Sequence, residues 1–483
     1  MSVIRKIFKA CSHSQVMPIG IRMMSTRVEL PRDALTEQQL CQIKDGIKDA
    51  TIFRRLKDLS FKYTIPVSEM NYMRDVMMFD HSLLEEKGTV KKLIHGIVIE
   101  TVRVGSNDED LFKRDFREYM AGESKRREVA LSLFRSMVMV SQKVRALSRS
   151  AVYKLINKSA KKLRVKDCWS SWKWRDQDCG FRLATCLVES DDSFDVESVL
   201  QEYTTPILML VDINKAPMVR ATVLKLLLVA VRSGKASVSL GLLSLVGSNI
   251  GARSNVVHSL AADCIIEIMF VMNLKAGEVD VLPLMVNLFK ALKLPGSEEN
   301  EYLMKCIFQA VSVSEISPKG CDLCFRELIH ILVCQRCQNP EFQKNLVQSL
   351  ALLIERESHD FTENRLVDIL GRCEEMVSSP IDDEHGFFLL KSVVDNLVYE
   401  VIASHMKHVW VVLFARLVNN ETAQFQQSLV RFMSFFLVRH GIASLVDSVN
   451  SVHPDIFNAF VRDCWVPHMK LINEVNEDEK KTE

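Results

Sequence analysis

From residue 204 onward the chain repeats one pattern: an apolar helix, a short polar joint, then a second apolar helix. TTPILMLVDINKAPMVRATVLKLLLVAVRSG (204–234) is its clearest instance. The first helix is entered through Pro206, and the second carries apolar residues at three- and four-residue spacing, the mark of a single buried stripe. Similar pairs begin near Leu243, Val281, Leu328, Leu366 and Val409, so successive starts are 37 to 47 residues apart when 206 is the first. A helix pair of that size hides its stripe only by stacking on its neighbours. The spacing therefore predicts an all-α solenoid, a superhelical array of antiparallel helix pairs, over an ordinary bundle of hairpins.

The period is that of HEAT or armadillo repeats, and the Val219-Arg220 pair opening a second helix looks like a HEAT unit. Only 17 Gly and 12 Pro occur among 483 residues, which suits long helices with short joints. A net charge of +1 gives no reason to expect nucleic acid or an anionic membrane as partner. No run reaches about 18 uncharged apolar residues, so no membrane insertion is expected. Thirteen cysteines, an odd number scattered through helical patterns, predict reduced thiols in an intracellular compartment.

The ends differ from the middle. Residues 1–28 hold Arg5, Lys6, Lys9, Arg22 and Arg27 and no acidic residue, a composition like that of a mitochondrial presequence or an unstructured start. Residues 29–90 read as helical without a further assignment. The solenoid is expected over 91–472, with an insertion near 100–128, and residues 473–483 as a charged disordered tail.

Signals for chemistry are weak. Cys321, Cys324, Cys334 and Cys337 with His330 imitate a zinc site, but FRELIHILV between them reads as uninterrupted helix. On one helix Cys321 and Cys334 stand about 20 Å apart, too far to share a tetrahedral ion. The thiols read instead as small buried hydrophobes. His405 and His408 lack an obvious third ligand. Trp169, Trp172 and Trp174 with Lys173 and Arg175 could stack bases, although packing is the commoner use of tryptophan. No phosphate loop and no nucleophile elbow is present. The chain reads as a non-enzyme with no cofactor and no metal.

One joint is unusually specific. In NLFKALKLPGSEENEYLMKCIF (287–308) an apolar helix ends at Leu-Pro-Gly, and Ser297 stands where it could cap the next helix, with Glu298 and Glu299 suiting its dipole. Asn287 to Leu292, Leu294 to Ser297, Glu299 to Tyr302, and Met304 with Lys305 resemble the corresponding turn of the importin-α re-export receptors. These form the cellular apoptosis susceptibility (exportin-2) family of the importin-β superfamily. Gly386, Phe387, Leu389 and Leu390 in EHGFFLLKSVVDNL are similar to a second family segment. VWVVLFARLVNNETAQFQQSLVRFMSFFLVRHG (409–441) resembles a third. Trp174-Arg175 followed by Asp178 resembles a fourth.

SNDEDLFKRDFREYM (106–120) resembles the family's insertion within a central HEAT repeat. Asp108, Glu109, Phe112, Glu118 and Tyr119 occupy its pattern, and Lys125, Arg126 and Arg127 match the basic cluster after it, across a shorter connection. The resemblance covers roughly residues 90–472 and implies an exportin-type HEAT solenoid, shortened at both ends relative to the family. It implies that these eight residues contact importin-α and the GTP-bound Ran GTPase, that the chain shuttles between nucleus and cytoplasm, and that it touches the nuclear pore transiently. From the residues alone, the insertion is an acid-rich segment with two aromatic anchors suited to a basic partner. The alternative is an exportin-derived scaffold without transport activity, sent to mitochondria by residues 1–28.

Overall fold

The described residues all lie within one compact unit, 61–483. The computed structural model describes residues 66–79, 84, 88–122, 124–163, 174–274, 279–313, 318–334, 337–357, 361–419 and 422–467. The readings made for residues 1–28 and 473–483 lie outside these. Every regular element among the described residues is helical.

Helix α1 (Val67–Phe79) is followed by α2 (residues 89–102), which widens to a π-turn at Ile94–Val98. Two short helices follow, α3 (Ser106–Arg114) and α4 (Phe116–Ala121), then α5 (Lys125–Val140). The remaining pairs are α6 (Gln142–Leu163) with α7 (Trp174–Ser190), and α8 (residues 196–208) with α9 (Pro217–Arg232). Next come α10 (Leu240–Gly247) with α11 (Asn255–Met272), and α12 (Leu282–Leu292) with α13 (Glu301–Val313). The last are α14 (Pro318–Cys334) with α15 (Pro340–Arg356), α16 (Glu363–Ser378) with α17 (Asp383–Asn396), and α18 (Tyr399–Asn419) with α19 (Ala423–Asn450), which breaks at Gly441 (φ +84°), before a final turn α20 (residues 456–465).

Second helices of successive pairs touch in an unbroken row, from α5 through α7, α9, α11, α13, α15 and α17 to α19. First helices form a thinner row alongside. This is the HEAT-type solenoid that the period predicts, in which each core is shared between neighbours. Helix α1 packs on α5, so the stack reaches below residue 91. The expected starts near 206, 328 and 409 fall about ten residues inside α8, α14 and α18, because apolar residues in the first turns, such as Val196, Val199 and Ile402, are interspersed with polar ones and the densest apolar run comes later.

Three features carry the stacking. Arg220, with no exposed surface, donates to the carbonyls of Leu208 (3.2 Å) and Asp212 (3.3 Å) and to the Asn249 side chain, tying α9 to the joint before it and to the next repeat. Burial lowers its pKa to about 10, against the opposing pull of Asp212, so it stays charged at neutral pH. Trp410 is fully buried, donates to Ser448 Oγ at 2.6 Å, and lies against Phe432 and Phe436. Gly386 allows α17 to press onto α16: a Cβ there would lie 2.7 Å from Val377 Cγ1 and 2.9 Å from Val377 N.

Helices α11, α18 and α19 have the length and mean hydropathy of membrane-crossing segments. Each is a member of the stack, and several of their charged groups meet neighbours. Asp263 and Glu267 of α11 pair with Arg232, and Arg416 of α18 lies 3.9 Å from Asp383. Helix α14 is continuous through Cys321, Cys324 and Cys334. Cys321 and Cys324 are buried, as small hydrophobes should be, but Cys334 is exposed with its sulfur 3.3 Å from His330 Nδ1. The reading of all four thiols as buried is corrected for Cys334, in the exposed last turn of α14, and for Cys337, half-buried beyond its end.

Two glycines predict opposite signs. Gly386→Ala should destabilise by about 1–3 kcal/mol, the cost of overpacking. Gly371→Ala, in mid-helix α16 with nothing near its would-be Cβ, should stabilise by about 0.5–1 kcal/mol. Thermal melts of the two variants check both.

Candidate functional site: a strap across the repeats

The insertion folds into α3 and α4, which leave the end of α2 and return to α5. Gly105 caps α3 through its N–H, which donates to Asp108 Oδ2 at 2.8 Å. Asp115 caps α4, accepting from Glu118 N at 3.0 Å. Between the caps the segment lies down on the second-helix row.

Three arginines hold it. Arg127, almost wholly buried at the start of α5, pairs with Asp108. Arg175 at the start of α7 donates to Glu109 Oε1 at 3.1 Å through Nε. Arg182, one helix turn beyond buried Asp178, donates to Tyr119 Oη at 2.8 Å and to Asp178 Oδ2 at 2.7 Å. The other oxygen of Asp178 accepts from Thr222 of α9. Phe112 is buried and meets Tyr119 edge-on at 5.0 Å, a contact worth about 0.5–1.5 kcal/mol beyond its buried area.

The far end of the strap reaches the joint between α12 and α13. Arg117 Nη2 donates to the carbonyl of Glu299 at 3.1 Å, and its Nε lies 4.0 Å from Glu301. The carboxylate of Glu299 accepts from the backbone N–H groups of Gln338 and Asn339, both at 3.0 Å. One short insertion thus touches the openings of α5, α7 and α13, and its bonds run on through Asp178 to α9.

That joint has its own network. Gly296 sits at φ +78°, where an L side chain is strained, and a Cβ would lie 2.8 Å from Asn255 Nδ2. Ser297 is buried, and its Oγ lies 2.8 Å from His258 Nε2. His258 Nδ1 lies 3.1 Å from the Ala252 carbonyl, so that nitrogen carries the proton and Nε2 accepts from the serine. Helix α13 is capped by Asn300, whose Oδ1 accepts from Tyr302 N and Leu303 N, and not by Ser297 as expected. Ser297 is drawn off because the buried imidazole needs a donor.

The eight candidate residues are therefore close together but not equally available. Glu118 and Lys125 are exposed; Asp108, Glu109, Tyr119 and Arg126 are half-buried; Phe112 and Arg127 are buried. The carboxylates of Asp108 and Glu109 and the rings of Phe112 and Tyr119 face inward, and the outer surface is set by Lys113, Arg114, Arg117 and Lys125 beside Asp110 and Glu118. The sequence reading missed Arg117, Arg182 and Glu299 as strap contacts. Their only signal was position: Arg182 sits four residues after Asp178, and Glu299 lies within the specific joint. Among the described residues no group of three His, Cys, Asp or Glu side chains could hold a metal ion.

Two comparisons of sequence tile almost all of the unit 61–483. The family described as Cse1 matches residues 58–265, and that described as CAS/CSE protein, C-terminus, matches 278–362 and 344–482. The chain belongs to the Cse1 (CAS/CSE) family. Exportin-2 of Homo sapiens is 20% identical over 534 residues, covering 85% of this chain and 54% of the relative. Exportin-2 of Xenopus laevis is 21% identical over the same shares. The chain spans about half the length of the curated relatives it matches. A solved structure described as the exportin Cse1 in its cargo-free, cytoplasmic state aligns with 17% identity and a TM-score of 0.49, over 88% of this chain and 56% of that one.

Burial lowers the pKa of His258 to about 4, against the bond to the Ala252 carbonyl, which opposes the shift. The unfolded chain takes up this proton near pH 6.5 and the folded chain only near 4. Stability is thus fully present above pH 6.5 and is lost as pH falls toward 4, by about 3 kcal/mol in all. Between pH 7 and pH 5 the melting temperature should fall, and His258→Asn, although less stable at pH 7, should fall by less over that interval.

Proposed function

We propose that this chain is a nuclear transport receptor of the exportin type, binding importin-α together with GTP-bound Ran and moving between nucleus and cytoplasm. Membership of the Cse1 family and the exportin-2 relatives support the class. The observation that carries the reading to a site is the strap. It is a family-like insertion laid across several repeats by arginine–carboxylate contacts. Such contacts can be exchanged for equivalent ones to a partner with little change in total bonding.

Glu118 and Lys125, already exposed, meet the partner first. Asp108, Glu109, Phe112, Tyr119, Arg126 and Arg127 engage as the strap lifts from Arg175 and Arg182. The long row of second helices supplies area, and no cofactor is needed beyond the nucleotide that Ran carries. Binding is cooperative because both partners bias the same strap, so each strengthens the other by one shared coupling energy.

Immobilised chain should retain importin-α, and more of it when Ran locked in its GTP form is present. Glu118→Lys combined with Lys125→Glu should weaken retention about tenfold, a loss of near 1.4 kcal/mol, with the melting temperature unchanged because both side chains are exposed. Absence of retention with and without Ran would overturn the proposal.

A further inference from the structure

A second surface stands apart from the strap, between α17 and α19. There the two second helices part to leave a groove of about 940 Å³. Its walls are aromatic: Phe388 of α17 is 44% exposed, and Phe435 of α19 is half-buried opposite. Lys391, one turn after Phe388, holds its ammonium 4.7 Å from the Phe435 ring centre, which keeps the cation fixed over the groove. Arg431 stands one turn before Phe435 on the same wall and is exposed.

These two cations differ from many of the arginines of this chain. Arg103, Arg127, Arg149, Arg175, Arg182, Arg232 and Arg365 all meet carboxylates. Lys391 and Arg431 have no carboxylate partner among the described residues. The one acid in the groove, Glu384, lies in the first turn of α17, two turns from Lys391. Gln424 and Gln427, three residues apart on α19, add side-chain amides to the opposite wall. An apolar slot with two unpaired cations and two amides is complementary to an extended peptide that carries carboxylates beside one large apolar side chain.

We propose that the α17–α19 groove is a docking site for an acidic peptide segment of a partner protein. Its aromatic or leucine side chain enters between Phe388 and Phe435. Its carboxylates take Lys391 and Arg431, and its backbone bonds to Gln424 and Gln427. The site does not depend on the strap or on the function proposed above, since none of its residues touches α3 or α4.

A random-peptide phage library panned on the full chain, then counter-selected on the Lys391→Glu, Arg431→Glu double variant, tests it. The expected result is a consensus of Asp or Glu next to an aromatic residue or Leu. A synthetic peptide of that consensus should bind about tenfold or more weakly to the double variant and to Phe388→Ala, both exposed changes that leave the melting temperature in place. A basic or uncharged consensus, equal binding by the double variant, or no enrichment would each overturn the proposal.

Discussion

Asp178 is a carboxylate with no exposed surface, and the strap's placement turns on it. A buried charge is costly unless paired and hydrogen-bonded. Here one oxygen takes Arg182 and the other takes Thr222 of the next second helix. Arg182 in turn presents Nη2 to Tyr119. One anion thus joins α7 to α9 and fixes the guanidinium on which the strap rests. Removing the carboxylate would leave Arg182 buried beside Tyr119 with its main counter-charge gone, a change of the costly kind.

The same economy runs through the joint at 294–300. Its residues are specified by neighbours from another repeat: Gly296 by the approach of Asn255, Ser297 by His258, and Asn300 by Ser259, whose hydroxyl accepts at 2.7 Å. The strap then reads that joint through Arg117. Local rules predict a turn there, while the identities of its residues come from contacts about 40 positions earlier in the chain.

This explains what was legible in the sequence and what was not. The solenoid was legible because stacking demands a stripe in every pair, and stripes have a period. Pair starts near 206, 328 and 409 were misplaced where polar residues interspersed through the first turns thin it out. Capping by Ser297 was a sound local reading overridden by a buried imidazole. Candidate residues on the strap were found by pattern, but their direction was not, because Asp108 and Glu109 look like solvent-facing acids until Arg127 and Arg175 are brought beneath them. The apolar character of α11 has the same origin, since a helix flanked on several sides in a stack carries stripes on several sides.

The central claim is that the strap lies closed on the repeats in the free chain. Hydrogen–deuterium exchange of residues 111–121 measures this directly. The account predicts protection of these amides well above that of a free peptide, together with faster exchange of the same segment in Arg182→Ala while α15 and α17 are unchanged. Exchange of the strap at free-peptide rates in the native chain would contradict it.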